Sequence, residues 1–357
     1  MMKLQTRITE QCGIKYPIIQ AGMAGSTTPE LVATVSNSGG LGMIGAGYMT
    51  PEQLNQEITE IQELTDLPFA VNLFVPSGAI YDPDEVEEMQ EHLAPLREHY
   101  QVSKPEVDMT AEETNFNGAI ELMIEKQVPV VAFTFGIPSQ STIQRLKESG
   151  ATLVGTATTV EEAEALESAG MDAIVAQGSE AGGHRGSFTV DEADQPPLIG
   201  TMSLVPQVVD AVNVPVIAAG GMMDGRGLVA SLALGAEATQ FGTAFLTTEE
   251  SGASALKKQA ILDSDETQPT ITNVYSGKFA RGIRNRFISH FADYQGEIPE
   301  YPIQNQLTTA IRKSAAREGD AEYTHLWSGQ SPRLARTISA AELIRQIVQE
   351  AETILQS

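Results

Sequence analysis

The chain has 357 residues, 41% hydrophobic and 19% charged, enough to bury a large core and too apolar for a disordered segment. Its 22 Lys and Arg stand against 47 Asp and Glu, a net charge of −25. That argues against nucleic acid or an anionic membrane as partner, because both demand basic surface. The single cysteine, Cys12, excludes an intrachain disulfide and a cysteine-based metal site.

The first ten residues lack the apolar stretch of a signal peptide, and no run approaches the roughly 18 apolar residues of a spanning helix. A cytoplasmic location is the default expectation. Short runs rich in β-branched residues predict strands at Ile18–Ala21, Gly42–Ala46, Ala70–Phe74, Val130–Phe133, Thr152–Gly155, Ala173–Ala176, Val216–Ala219 and Thr239–Gly242. Nearly continuous apolar character suits parallel strands buried on both faces. Helix starts lie between them: Thr28-Pro29 and Thr50-Pro51 put a capping hydroxyl before a proline. Thr50 with Gln53, Thr159 with Glu162 and Ser339 with Glu342 fit capping boxes. Strand and helix alternating eight times predict a (β/α)8 TIM barrel.

Two segments interrupt the rhythm. The acidic stretch 77–127 is too long for one connection and is expected to add helices over one end of the barrel. The chain beyond the eighth strand exceeds one closing helix, with helical patterns at Asn305–Arg317 and Ser339–Leu355. The predicted organisation is a barrel over 1–250, with the 77–127 insertion. A C-terminal segment, 251–357, then supplies a smaller helical subdomain that covers the site.

Gly40-Leu-Gly-Met-Ile-Gly45 matches a dinucleotide-binding pattern literally, but its glycines fall inside a strand rather than at a strand–helix turn, so it reads as a close-packed barrel strand. Ala218-Ala-Gly-Gly221 and Gln240-Phe-Gly-Thr243 end the seventh and eighth predicted strands, where backbone N–H groups of such barrels often cradle a phosphate. The sixth strand runs into Gln177-Gly-Ser-Glu-Ala-Gly-Gly-His-Arg-Gly186. His184 there can exchange a proton near neutral pH or, as a cation, attract an anionic substrate. Arg185 can hold a phosphate or pair with a carboxylate. The other four histidines read as structural or exposed. No nucleophile elbow, zinc-binding helix motif or P-loop is present.

These motifs, with Pro17–Gly25, Ser38–Gly42, Phe69–Pro76, Tyr301–Thr308 and Trp327–Pro332, resemble the nitronate monooxygenases, formerly called 2-nitropropane dioxygenases. The resemblance spans nearly the whole chain. It implies a metal-free FMN enzyme that oxidises alkyl nitronates, propionate 3-nitronate among them, with O2 to carbonyl compounds and nitrite. Carried over by position, it implies flavin contacts from Met23, Asn72 and Gln177, with Gly22 beside them. Gly182, Gly221, Gln240, Phe241, Gly242 and Thr243 would contact the phosphate and its approach, Gly183 and Gly220 would also bind the cofactor, and His184 would be the active-site histidine. Phe241 departs from the Met or Val common in relatives. Tyr275 and Tyr301 are candidates for the substrate pocket. The rival within the same superfamily is an FMN-dependent NAD(P)H enoyl-ACP reductase or quinone reductase; a flavin-binding protein without turnover is a more distant one.

Overall fold

The structure, a computed structural model, describes residues 4–189 and 196–356. Its strands are β1 (Ile18–Gln20), β2 (Gly42–Gly45), β3 (Phe69–Phe74), β4 (Val130–Thr134), β5 (Thr152–Ala157), β6 (Ala173–Gln177), the two-residue β7 (Gly183–His184), β8 (Val216–Ala219), β9 (Ala238–Phe241), β10 (Pro269–Thr272) and β11 (Ala280–Ile283). All except β7, β10 and β11 form one parallel sheet in the order β1-β9-β8-β6-β5-β4-β3-β2. A bridge from Ile19 to Leu41 joins its two edges: the Gln20 N–H donates to the Leu41 carbonyl and the Leu41 N–H to the Ile18 carbonyl, each at 2.9 Å. The sheet is therefore the predicted closed barrel, and its strand limits fall within two residues of those read from the sequence.

Side-chain parity decides what each strand offers to the interior. Ile19, Met43, Ala70, Val130, Ala132, Val154, Val175, Ile217 and Ala238 fill the barrel. Ile8 and Cys12, from and just after the helix Arg7–Gln11, pack into the same cluster. The alternate residues, including Val71, Leu73, Val131, Phe133, Ile174 and Ala218, face the outer helices. Gly42 belongs to a tight strand–helix contact: a Cβ there would collide with the Val32 backbone. The literal dinucleotide pattern is thus a packing device.

Helix-start readings hold in part. Thr50 and Gln53 make a reciprocal capping box. Thr159 and Ser339 each accept the expected N–H bond, but their glutamates are used elsewhere. The buried Glu162 carboxylate receives the N–H groups of Thr158, Phe188 and Thr189, anchoring the far end of the loop after β6. Glu342 instead engages Arg345 and Gln346.

Of the two helices in the stretch 77–127, Ala111–Glu125 packs beside the helices Pro51–Leu64 and Gln140–Glu148 and against β3, as an outer-ring helix. Pro83–His99 packs instead on Ile303–Arg317, sharing a cluster of Val86, Met89, Leu93, Phe287, Leu307 and Ile311. The last helix, Ala340–Gln356, lies between Gly225–Ala233 and Pro29–Asn37, so it also belongs to the ring. Beside Pro83–His99 and Ile303–Arg317, which cap the barrel mouth with the segment that joins them to it, the chain forms a small antiparallel sheet that the sequence reading did not anticipate: β10 pairs with β11, and β11 with β7, placing His184 opposite Ala280. Ile347 is fully buried in the cluster that joins the last helix to the barrel. Ile347→Ala is expected to cost about 2–5 kcal/mol, read as a lowered urea midpoint with unchanged m value.

Candidate active site

At the C-terminal ends of the barrel strands lies a cavity lined by Gly22, Met23, Asn72, Gln177, Gly182, Gly183, His184, Gly220, Gly221, Gln240, Gly242 and Thr243. Of the cofactor-contacting and catalytic residues expected from sequence, Phe241 alone is not among its lining residues. Strand parity turns its ring outward, where it is fully buried with Ile18, Leu31 and Phe245. Tyr275 is also withdrawn. Its ring stacks on Phe287 at 4.7 Å and its hydroxyl donates to Asn285 Oδ1 at 2.8 Å. Tyr301 does line space, in a second cavity that adjoins the first and shares Ala24, Tyr48, Phe74, His184, Lys257 and Trp327 with it.

The turns after β8 and β9 suit an anion. Gly220 and Gly221 have φ of 120° and 73°, a region that disfavours side chains and lets the backbone present its N–H groups. Among the described residues, no backbone carbonyl accepts from the N–H groups of Gly220, Gly221, Gly242 or Thr243. A Cβ on Gly242 would meet nothing nearer than Ala21 Cβ at 3.9 Å, so this backbone faces open space. The hydroxyls of Thr243 and Ser331 flank it. Thr243 accepts from the Gly329 N–H at 2.8 Å, and Ser331 donates to the Gly221 carbonyl at 3.0 Å.

The loop after β6 is braced from within. Gln177 Oε1 accepts from the Gly186 N–H at 2.9 Å and from Arg185, while its Nε2 donates to the His184 carbonyl at 3.0 Å. Arg185, 2% exposed, donates to the carbonyls of Gly178 and Gln177 at 2.6 and 3.2 Å. These bonds brace the loop, and among the described residues Arg185 forms no ion pair. Glu180 is likewise structural: its carboxylate accepts from the N–H and hydroxyl of Thr201, at the start of the helix Thr201–Ala211.

His184 stands among the rings of Phe74, Phe135 and Trp327. Its Nε2 lies 2.8 Å from Ser276 Oγ, which donates to the Lys278 carbonyl at 3.3 Å. That pattern assigns the Nε2 proton to His184 and leaves Nδ1 as an acceptor. Burial first, then the charges of Arg312 and Lys278, push the imidazole pKa down to about 3. Sequence reading missed Ser276, Lys257, Arg312 and His325. It also placed His325 among the structural or exposed histidines, whereas this ring lines the second cavity. These residues carry no local motif; only the folded cap brings them to the barrel mouth.

A closed parallel barrel with a glycine-lined cavity at its C-terminal end has the architecture of a (β/α)8 barrel enzyme. The nitronate monooxygenase family model matches residues 5–350. A probable nitronate monooxygenase of Staphylococcus saprophyticus is 62% identical, with 99% of each chain covered. The crystal structure of a nitroalkane oxidase from Streptomyces ansochromogenes superposes with a TM-score of 0.92 at 39% identity, covering 98% of this chain and 99% of that one. FabK from Thermotoga maritima superposes at 0.77 with 32% identity, covering 99% and 98%. The chain belongs to the nitronate monooxygenase family of oxidoreductases.

Because the folded state disfavours a charged His184, stability from this group is fully present above the ordinary histidine pKa near 6.5. It is lost as pH falls from there toward 3, where the unfolded chain binds the extra proton. Ring-nitrogen NMR of the ligand-free protein is expected to show His184 neutral, with a protonated Nε2, throughout pH 5–8; a titration midpoint near 6.5 would contradict the burial argument.

Proposed function

We propose that this protein is an FMN-dependent nitronate monooxygenase that converts alkyl nitronates, propionate 3-nitronate among them, and O2 to carbonyl compounds and nitrite. The observation that carries this reading is the opening of both glycine turns and of His184 onto one cavity. The residues fit the cofactor. Gly220, Gly221, Gly242 and Thr243 offer backbone donors to its phosphate, and Met23, Asn72 and Gln240 line the remaining wall. Asn72 Oδ1 is engaged by the Thr134 hydroxyl at 3.0 Å, which orients the amide N–H2 as the free end. When bound, FMN accepts electrons from the nitronate and passes them to O2.

A nitronate is already a carbanion equivalent, so the chain need not remove a proton from carbon. Its task is orientation and charge complementarity. A neutral His184 whose conjugate acid lies near pKa 3 is a weak base toward a neutral nitroalkane. An anion beside the ring reverses that penalty, and the imidazole takes up a proton as the anion binds. The site is therefore expected to favour preformed nitronates over nitroalkanes. The superposition on FabK keeps the reductase rival specific.

Steady-state turnover separates the two. Rapid O2 uptake and nitrite release with propionate 3-nitronate, with negligible NAD(P)H oxidation, is the expected result; fast NAD(P)H turnover with a quinone or enoyl thioester and none with nitronate would refute the reading. His184→Asn is expected to retain FMN yet lose most activity on nitroalkanes, and unchanged kinetics on nitroalkane and nitronate alike would remove His184 from the site. Gly221→Val, forced into a backbone conformation with φ of 73° beside the anion's approach, is expected to raise the FMN dissociation constant. An unaltered constant would refute that placement.

A further inference from the structure

Across Trp327 from His184 lies a group of bases that the proposed reaction does not use. The Trp327 ring centroid is 5.4 Å from that of His184 and 5.3 Å from that of His325. His325 is held between two cations on separate cap helices. Arg312 Nη1, from Ile303–Arg317, lies 3.1 Å from its Nδ1. Lys257 Nζ, from Ala255–Leu262, lies 2.8 Å from its Nε2.

All three residues line the second cavity, and Lys257 lines both. Arg312 is otherwise bound to neutral acceptors, Thr308 Oγ1 at 3.0 Å and Asn305 Oδ1 at 2.7 Å. Among the described residues, no carboxylate forms an ion pair with Lys257 or Arg312. Four acids also line that cavity, Glu57, Glu60, Glu106 and Glu112; the carboxyls of Glu57 and Glu112 are pushed up to about 7 chiefly by burial.

The proton count shows what the group lacks. A guanidinium only donates, a charged lysine only donates, and a neutral imidazole has one acceptor and one donor. If Arg312 gives a proton to Nδ1, then Nε2 carries the ring's own proton and points it at Lys257. A charged lysine there has no acceptor on the ring. Burial and the Arg312 charge accordingly lower the Lys257 pKa to about 8. A bound anion would supply the missing acceptor and relieve the repulsion between the two cations.

We propose that Lys257, Arg312 and His325 form a subsite for a second anionic group, a carboxylate, carried by the nitronate substrate at the end away from the reacting carbon. This rests on the proposed nitronate reading and identifies the residues that select within that class. The guanidinium of Arg312 is held in place by Thr308, Asn305, Thr309 and His325, so it contributes fixed positive charge while the flexible Lys257 ammonium suits direct contact with a carboxylate. His184 and His325 each lie against the Trp327 ring, at centroid distances of 5.4 and 5.3 Å, so the two anion positions would share that indole.

Propionate 3-nitronate and propyl-1-nitronate differ by a carboxylate in place of a methyl, so the pair isolates the subsite. With the flavin-loaded enzyme, kcat/KM is expected to favour the carboxylated nitronate by roughly tenfold or more. Lys257→Met is expected to lower that preference by about the same factor, through KM rather than kcat, and Lys257→Arg to restore part of it. His325→Gln, with flavin content checked, serves as a second variant and should also narrow the preference. Equal kcat/KM for the two nitronates in the native enzyme, or equal losses on both in flavin-loaded Lys257→Met, would overturn the subsite while leaving nitronate oxidation intact. Turnover of neither nitronate by the native enzyme would overturn the subsite together with the reading it rests on.

Discussion

Arg185 sits in the wall of the barrel with its guanidinium almost out of solvent and, among the described residues, without a carboxylate partner. Three hydrogen bonds to oxygens of Gln177 and Gly178 hold it, and burial lowers its pKa to about 10, still far above neutrality. Burying a charge on carbonyls alone is costly unless the geometry repays it. Here the return is a closed loop: Arg185 fixes Gln177, Gln177 fixes the His184 carbonyl, and the short strand β7 is then free to pair with β11 of the cap. The position of the imidazole follows from that chain of bonds.

The same loop joins the two halves of the site. On the barrel side, the glycine turns after β8 and β9 leave backbone donors without acceptors among the described residues, which suits a phosphate. On the cap side, Ser276, Trp327 and the bases around His325 surround the space above His184. In the proposed reading the barrel side would hold the cofactor and the cap side the substrate, and His184 lines both cavities. Burial first, and then the charges of Arg312 and Lys278, keep the imidazole neutral; an anion beside it would favour the charged ring.

Much of this was legible before the fold was seen. The barrel strands announced themselves because parallel strands buried on both faces are continuous apolar runs, and the glycine turns because close backbone approach permits little else. Strand parity was also available: Ala238 and Gln240 point in, so Phe241 had to point out, and a positional resemblance alone hid this. Ser276, Lys257, Arg312 and His325 were not legible. They lie on separate cap elements, and His325 looked like any other histidine until Arg312 and Lys257 were seen on its two ring nitrogens. Arg185 was ambiguous for the opposite reason, since a loop arginine beside glycines fits a phosphate as well as it fits its own backbone.

The central claim is that nitronate delivers electrons directly to a flavin held at the mouth of this barrel. Anaerobic titration of the purified yellow protein with propionate 3-nitronate tests it most directly. The account predicts loss of the oxidised-flavin absorbance near stoichiometric nitronate, without NAD(P)H, and its recovery on admitting O2. An oxidised spectrum that excess nitronate leaves unchanged while NADH or NADPH bleaches it, or a colourless protein that releases no FMN on denaturation, would contradict the account.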